Sequence, residues 1–252
     1  MASLSYIGGP TAVLEMEGIR LLTDPTFDPA GGEYPAGPVT LRKLMGPALS
    51  VAEVGLIDYV LLSHDHHSDN LDHLGRSALA SAKSVLTTEE GAARLGENSI
   101  GLRPWQTMDL GSQLRVVATP ARHGPAGRDR GAVTGFVIFP VEAPDRAVYF
   151  SGDTVMYEGV EEVARRFPIQ TAILNLGAAR VPEVGPFHLT MTAGEAVEAA
   201  RVFAKATIVP LHFEGWAHFS EGRDQIAKAF AVAGLGARLR WPEPGRAIKI
   251  DL

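Results

Sequence analysis

The sequence predicts an α/β fold: two β-sheets face to face with helices on their outer sides, a four-layer αβ/βα sandwich. Two observations carry this. Short β-type segments dominate both halves, paired as hairpins in the first half and alternating with helices in the second. The residues with metal-binding chemistry fall where those strands give way to loops.

The elements follow in order. Ala12–Met16 and Ile19–Thr23 flank Glu17-Gly18, a hairpin turn signal. Further strands are expected at 57–62, 84–87, 113–119, 132–139, 146–151, 171–176, 207–211, 237–241 and 247–251. Helical spacing of apolar residues marks 71–80, 89–95, 158–167, 192–205 and 223–234. Thr192 and Glu195 form a capping-box pattern, and Ala196, Val197, Ala200 and Phe203 behind them make a core stripe. Residues 28–50, rich in Gly and Pro, read as a long loop able to cover a site.

Composition narrows the function classes. The chain has 252 residues, 46% apolar and 21% charged, with no linker or repeat, so one domain with a sizeable core is expected. The net charge of −6 disfavours a nucleic-acid partner and leaves a small-molecule substrate. No apolar run approaches the ~18 residues of a membrane span, and no signal peptide is expected. Cysteine is absent, which suits a cytoplasmic protein and rules out thiolate ligands. Any metal is held by His, Asp, Glu or Asn.

The densest chemistry lies in Ser63-His64-Asp65-His66-His67-Ser68-Asp69-Asn70, after the apolar run Tyr59–Leu62. With His73, four of the eight histidines fall within ten residues. His64 and His66, at alternate positions after a strand and followed by carboxylates, suit zinc and its first-row neighbours. His123, Asp153 in Ser151-Gly152-Asp153-Thr154, and His212 each follow another apolar strand. Strand ends hold such groups rigidly and leave room for substrate.

In this order these segments resemble the metallo-β-lactamase-fold hydrolase superfamily. The likeness extends from Thr23-Asp24-Pro25 to His212, over nearly the whole chain. It is nearest the branch of ascorbate-6-phosphate lactonase and N-acyl-phosphatidylethanolamine phospholipase D, with Phe187-His188-Leu189-Thr190-Met191-Thr192 contributing to it. The resemblance implies a metal centre between two sheets. His64, His66 and His123 would hold the first metal, Asp153 would bridge, and Asp69 and His212 would help hold the second. The expected cofactor is zinc, as two ions, with Mn2+ or another divalent ion as an alternative at the second site.

One departure stands out. The family pattern is His-x-His-x-Asp-His, whereas here Asp69 is three residues after His66 and Asn70 stands in the last His place. Read as a one-residue insertion after His66, the second metal would rest on Asp69 and Asn70, with His67 and His73 as substitutes. Metal-activated water would attack a carbonyl or phosphoryl centre. Asp153 would orient the water, and His188 would protonate a leaving group or bind an oxyanion. His188 as a structural helix-flanking group is the alternative. His218 and Trp216 reach the pocket rim or simply pack an aromatic loop. The expected activity is hydrolysis of an ester, lactone or phosphoester, the alternative being a metal-loaded sensor or binding protein with little turnover.

Overall fold

The computed structural model describes residues 2–36, 38–96 and 98–252. In chain order the strands are β1 (Ala2–Gly8), β2 (Thr11–Met16), β3 (Ile19–Thr23), β4 (Glu33–Ala36), β5 (Val39–Arg42), β6 (Tyr59–Leu61), β7 (Ser84–Thr87), β8 (Ser99–Gly101), β9 (Thr107–Leu110), β10 (Leu114–Pro120), β11 (Thr134–Pro140), β12 (Ala147–Phe150), β13 (Ile169–Asn175), β14 (Thr207–Leu211) and β15 (Ala247–Ile250). The helices are α1 (Val51–Val54), α2 (His73–Ala78), α3 (Glu89–Leu95), α4 (Glu158–Arg166), α5 (Ala193–Val202) and α6 (Arg223–Val232).

The first sheet runs β15-β1-β2-β3-β6-β7-β8 and the second β14-β13-β12-β11-β10-β9. Each has an antiparallel part and a parallel part. The β1–β2–β3 meander and the β9–β12 run are antiparallel, while β3–β6–β7–β8 and β12–β13–β14 are parallel. Glu17 and Gly18 both take positive φ, the two-residue turn that matches strand twist between β2 and β3.

Strand alternation explains the layers. Leu14, Leu21 and Leu61 of the first sheet meet Val116, Phe136, Ile138 and Ile173 of the second in the central core. The opposite residues of the same strands face outward. Val13, Leu22 and Val60 pack under Val54 and Leu79, and Val117, Val137 and Leu174 pack under α4, α5 and α6 through Val160, Ala200 and Phe230. The order is therefore helix, sheet, sheet, helix, as expected. Among the described residues no helix is long and apolar enough to cross a membrane.

Two expectations are corrected. The 28–50 stretch contains the β4–β5 hairpin, whose Tyr34, Val39 and Leu41 are buried against Ala179, Leu189 and Trp216. Residues 237–241 are not a strand, since Gly236–Arg238 forms a 3-10 turn. The reason is Arg238, whose guanidinium donates to the carbonyls of Phe203 and Ala206, just past the end of α5. That contact satisfies carbonyls a helix end leaves open.

Candidate metal centre

Four loops following β6, β10, β12 and β14 converge at one edge of the sandwich. Beyond β6, the Ser63 N–H and hydroxyl both donate to Asp24, at 2.6 and 2.8 Å. The Ser63 proton is thus committed, so its oxygen, 2.9 Å from His64 Nδ1, accepts from that ring nitrogen. His64 Nε2 is left as the acceptor that turns to the centre, 2.9 Å from His67 Nδ1. His123 is oriented the same way, its Nδ1 donating to the Leu189 carbonyl at 2.9 Å. Fixing one imidazole nitrogen so that the other ligates is the usual support of a metal site. Gly152 lets the loops close up: at φ +57, a Cβ there would lie 2.6 Å from the Thr134 carbonyl oxygen and 2.7 Å from Ser63 Cβ.

Among the described residues three groups of ligand atoms lie within 4.8 Å of one another: His64, His66 and His67; His64, His123 and Asp153; and Asp69, Asp153 and His212. The five residues of the last two groups carry the centre. All five residues are buried. Asp153 Oδ1 accepts from the Asn70 and Asn175 amides at 3.2 and 2.8 Å. Its Oδ2 faces the centre, 3.5 Å from His212 Nε2 and 3.9 Å from His123 Nε2. His212 Nε2 is 3.4 Å from Asp69 Oδ2. Asp153 Oδ2 and His212 Nε2 are buried without a hydrogen-bond partner. A divalent ion fits these donors. Two ligands on a tetrahedral zinc with bonds of ~2.0–2.1 Å lie about 3.3–3.4 Å apart, close to the spacings at His212.

The electrostatics agree. Burial, then neighbouring His67, holds His64 well below the usual histidine range, and burial also lowers His123. Burial and His123 bring His67 down to about 3. Burial and the charge of Asp153 push Asp24 up to about 7. For Asp153 burial works upward, but His212, His123 and His64 outweigh it and hold the carboxyl well below the carboxylate range. Burial opposes protonation of His212, yet Asp153 and Asp69 raise it to about 10. Neutral imidazoles beside ionised carboxylates are the states that bind a cation, and the His212 proton is one that a metal displaces.

The structure brings both His66 and His67 close to His64 in the His-rich loop. His66 is exposed, and its Nε2 donates to the Arg130 carbonyl at 2.7 Å, although the ring stays within 4.8 Å of His64 and His67. His67 turns inward instead, with Nδ1 2.9 Å from His64 Nε2. The extra residue therefore lies between the two inward histidines, and Asp69 keeps its place two residues after the second. Asn70 is buried beside them: its Nδ2 donates to Asp24 at 3.1 Å and to Asp153 at 3.2 Å, and its Oδ1 is buried without a hydrogen-bond partner, the donor atom expected of it. His73 stacks on Tyr34 and contacts Asp28 at 3.1 Å, away from the centre. Asp65 turns outward onto Arg94.

His188 is not among the pocket residues. It pairs with Glu195 at 2.8 Å at the start of α5, the structural alternative. His218, which the sequence left between the pocket rim and a packed aromatic loop, lines the pocket, and its Nε2 is 3.0 Å from Asp69 Oδ2. Its one signal was its place six residues after His212 in the same loop.

Above His67, Asp69, His123 and His218 opens a small pocket of about 50 Å³. Its walls are apolar: Val39 and Leu41 from β4–β5, and Val181, Val184 and Leu189 opposite. Arg130 is the one Lys or Arg lining it.

Residues 19–213 match the model of the beta-lactamase superfamily domain. A UPF0173 metal-dependent hydrolase from Caldivirga maquilingensis is 25% identical over 260 residues, spanning 100% of this chain and 100% of its own. Among solved structures, the isothiocyanate hydrolase from Delia radicum gut bacteria has a TM-score of 0.85 at 22% identity, covering 99% of this chain and 100% of that one. A metallo hydrolase from the archaeon Ignicoccus hospitalis has a TM-score of 0.76 at 20% identity, covering 100% and 99%.

Proposed function

Because the chain belongs to the beta-lactamase superfamily and is a metal-dependent hydrolase, we propose that it hydrolyses small, uncharged esters or lactones bearing an apolar group. The observation that carries this is the apolar wall of Val39, Leu41, Val181 and Val184 directly over the ligand cluster. Apolar groups gain roughly 25 cal/mol per Å² on entering such a wall. A doubly clamped phosphodiester is less well served, since Arg130 is the lone guanidinium there and Arg103 and Arg122 engage Glu89 and Tyr157. The Delia radicum gut enzyme is named for isothiocyanates, and a compact electrophile of that kind suits the same walls.

The site is assigned as one domain's work. His64, His67, His123 and Asp153 would hold the first metal, and Asp69, His212 and Asp153 would hold the second. The imidazole and carboxylate donors suit zinc at both. When bound, the ions supply Lewis acidity and bring the pKa of a water down to roughly 7. Asn70 and Asn175 fix Asp153 through Oδ1, so that its Oδ2 would face the ions and their water. Leu189 and the hairpin exclude bulk solvent, and the Arg130 guanidinium steadies the polar end of the substrate at the rim. A cytoplasmic setting accords with the cysteine-free composition.

The test is a zinc-loaded panel of acyl p-nitrophenyl esters, γ- and δ-lactones and a phosphodiester. Esters or lactones with short apolar chains should turn over fastest, and Asp153→Ala, still folded, should lose that activity. Faster phosphodiester cleavage, or turnover unchanged in Asp153→Ala, overturns the proposal.

A further inference from the structure

We propose that the protein carries a second small-molecule site, walled by Tyr6, Glu214 and Trp216, that takes a protonated amine bearing an apolar group. The inference stands apart from the reading of the metal centre, since this cavity shares no lining residue with the pocket above His67 and Asp69.

A cavity of about 240 Å³ opens where the end of β1 meets the segments that follow β5 and β14. Ile7, Met45, Pro47 and Ala48 give it apolar walls. Two charged residues line it, Lys43 and Glu214. Lys43 is neutralised by Asp72, 2.7 Å from its Nζ. Glu214 has no cationic partner among the described residues, and its Oε1 accepts from the Tyr6 hydroxyl at 3.0 Å. Tyr6 is fully buried, and burial, then Glu214, raises its phenol well above the usual range, so the hydroxyl stays a donor. The carboxylate is thus anchored through one oxygen and keeps the other for a ligand.

Two glycines keep the space open. Gly8 and Gly9 both line the cavity, with φ of +146 and +56. A Cβ on Gly8 would lie 3.7 Å from the Gly46 carbonyl oxygen, and one on Gly9 3.5 Å from Trp216 Nε1, so side chains there would grow against the opposite walls. The walls are also fixed: Ala48 N–H donates to the Ile7 carbonyl at 2.7 Å, and Trp216 is buried against Tyr34. The chemistry of the cavity then selects the occupant. A carboxylate with no counter-charge favours a cation, and an N–H donor makes a strong bond to a single carboxylate oxygen. A calcium or magnesium ion needs several oxygen ligands, which these walls do not offer. The apolar walls favour an amine whose remaining atoms are apolar.

Titration calorimetry on the zinc-loaded protein tests this with benzylamine, protonated near neutral pH, against benzyl alcohol, which has the same shape without the charge. Benzylamine should bind roughly tenfold or more tightly than the alcohol, the difference that a hydrogen bond to a charged group makes. Glu214→Gln keeps an acceptor for Tyr6 and, with an unchanged circular dichroism spectrum and zinc content, should lose that preference. Ala48→Phe leaves the charge in place but narrows the cavity, and should weaken benzylamine by roughly tenfold as well. Equal binding of amine and alcohol to the wild type, or a benzylamine affinity that either folded variant leaves unchanged, overturns the proposal. Binding that persists in both variants but is lost in Leu41→Asp places the amine in the substrate pocket and overturns it too.

Discussion

Replacing Lys43 by methionine should destabilise the protein by about 3 kcal/mol and loosen substrate binding. Lys43 is 3% exposed, and its Nζ lies 2.7 Å from Asp72 Oδ2, itself buried. At an effective dielectric of ~20, unit charges that close attract by roughly 6 kcal/mol, against several kcal/mol of desolvation. Removing one partner of a buried pair typically costs about 3–5 kcal/mol. Asp72 keeps the N–H groups of Phe27, Asp28 and Gly75 at 2.9, 2.7 and 2.8 Å, which favours the lower end. For a chain of this length ~3 kcal/mol corresponds to roughly 6–12 °C in Tm. Urea and thermal unfolding of metal-free protein measure it, with Asp72→Asn closing a double-mutant cycle. Lys43 follows β5, whose Leu41 lines the pocket, and its ammonium lies 5.5 Å from the Trp216 ring centre. KM for apolar esters should therefore rise several-fold with kcat little changed. A Lys43→Met protein within about 1 kcal/mol of wild type would refute the reasoning.

Other expectations follow from single contacts. His67→Ala should weaken zinc uptake at least tenfold in a competition titration and His66→Ala less, because His67 Nδ1 lies 2.9 Å from His64 Nε2 while His66 Nε2 is tied to the Arg130 carbonyl; equal losses would contradict this. Gly152→Ala should lower both Tm and turnover by displacing Asp153, since its methyl meets Thr134 and Ser63 at φ +57, and unchanged kinetics would rule that out. Leu41→Asp should abolish hydrolysis of apolar esters while zinc stoichiometry stays at the wild-type value, read by elemental analysis. The His188–Glu195 pair gives a pH dependence. Glu195 raises the His188 pKa, so the contribution is complete below the ordinary value of ~6.5 and fades as pH rises through the raised one. Glu195, lowered by His188 against its burial, keeps its share until pH falls well below ~4.3. His188→Gln should lower Tm at pH 5.5–6 by a degree or two and leave it unchanged at pH 9; a pH-independent loss would exclude the ion pair.

The layered fold was legible because most strands alternate strictly. Val116-Val117-Ala118 and Phe136-Val137-Ile138 each send neighbours to opposite cores, and α5 announces itself by Thr192 and Glu195, which close the capping box. The hairpin at 33–42 was hidden because its hydrophobic alternation is short and broken by Pro35 and Pro38, and it is held by distant partners such as Val181 and Trp216. At the centre, His123, Asp153 and His212 lie just past strand ends, where sequence spacing is informative. His64 and His66 were paired by the every-second-residue rule of a strand. The strand stops at Leu61, however, and His67 accepts from Asn70 and Leu71 in a turn, where that rule lapses. For His218 the sequence left the pocket rim and a packed loop open, because its approach to Asp69 depends on remote segments, Arg42 and Arg180, that bond its loop.

The groups at the centre also enter the world at different times. His64 to Asn70 leave the ribosome early, His123 and Asp153 midway, and His212 and His218 only after β14, near the end of the chain. A nascent polypeptide carrying the first cluster has a few scattered imidazoles but no cage. The cage exists once β12, β13 and β14 have assembled and the two sheets have docked. Which ion the enzyme carries is therefore decided by the shape of the finished pocket and not by whichever metal the growing chain first encounters, and metal content measures how completely the two sheets have joined.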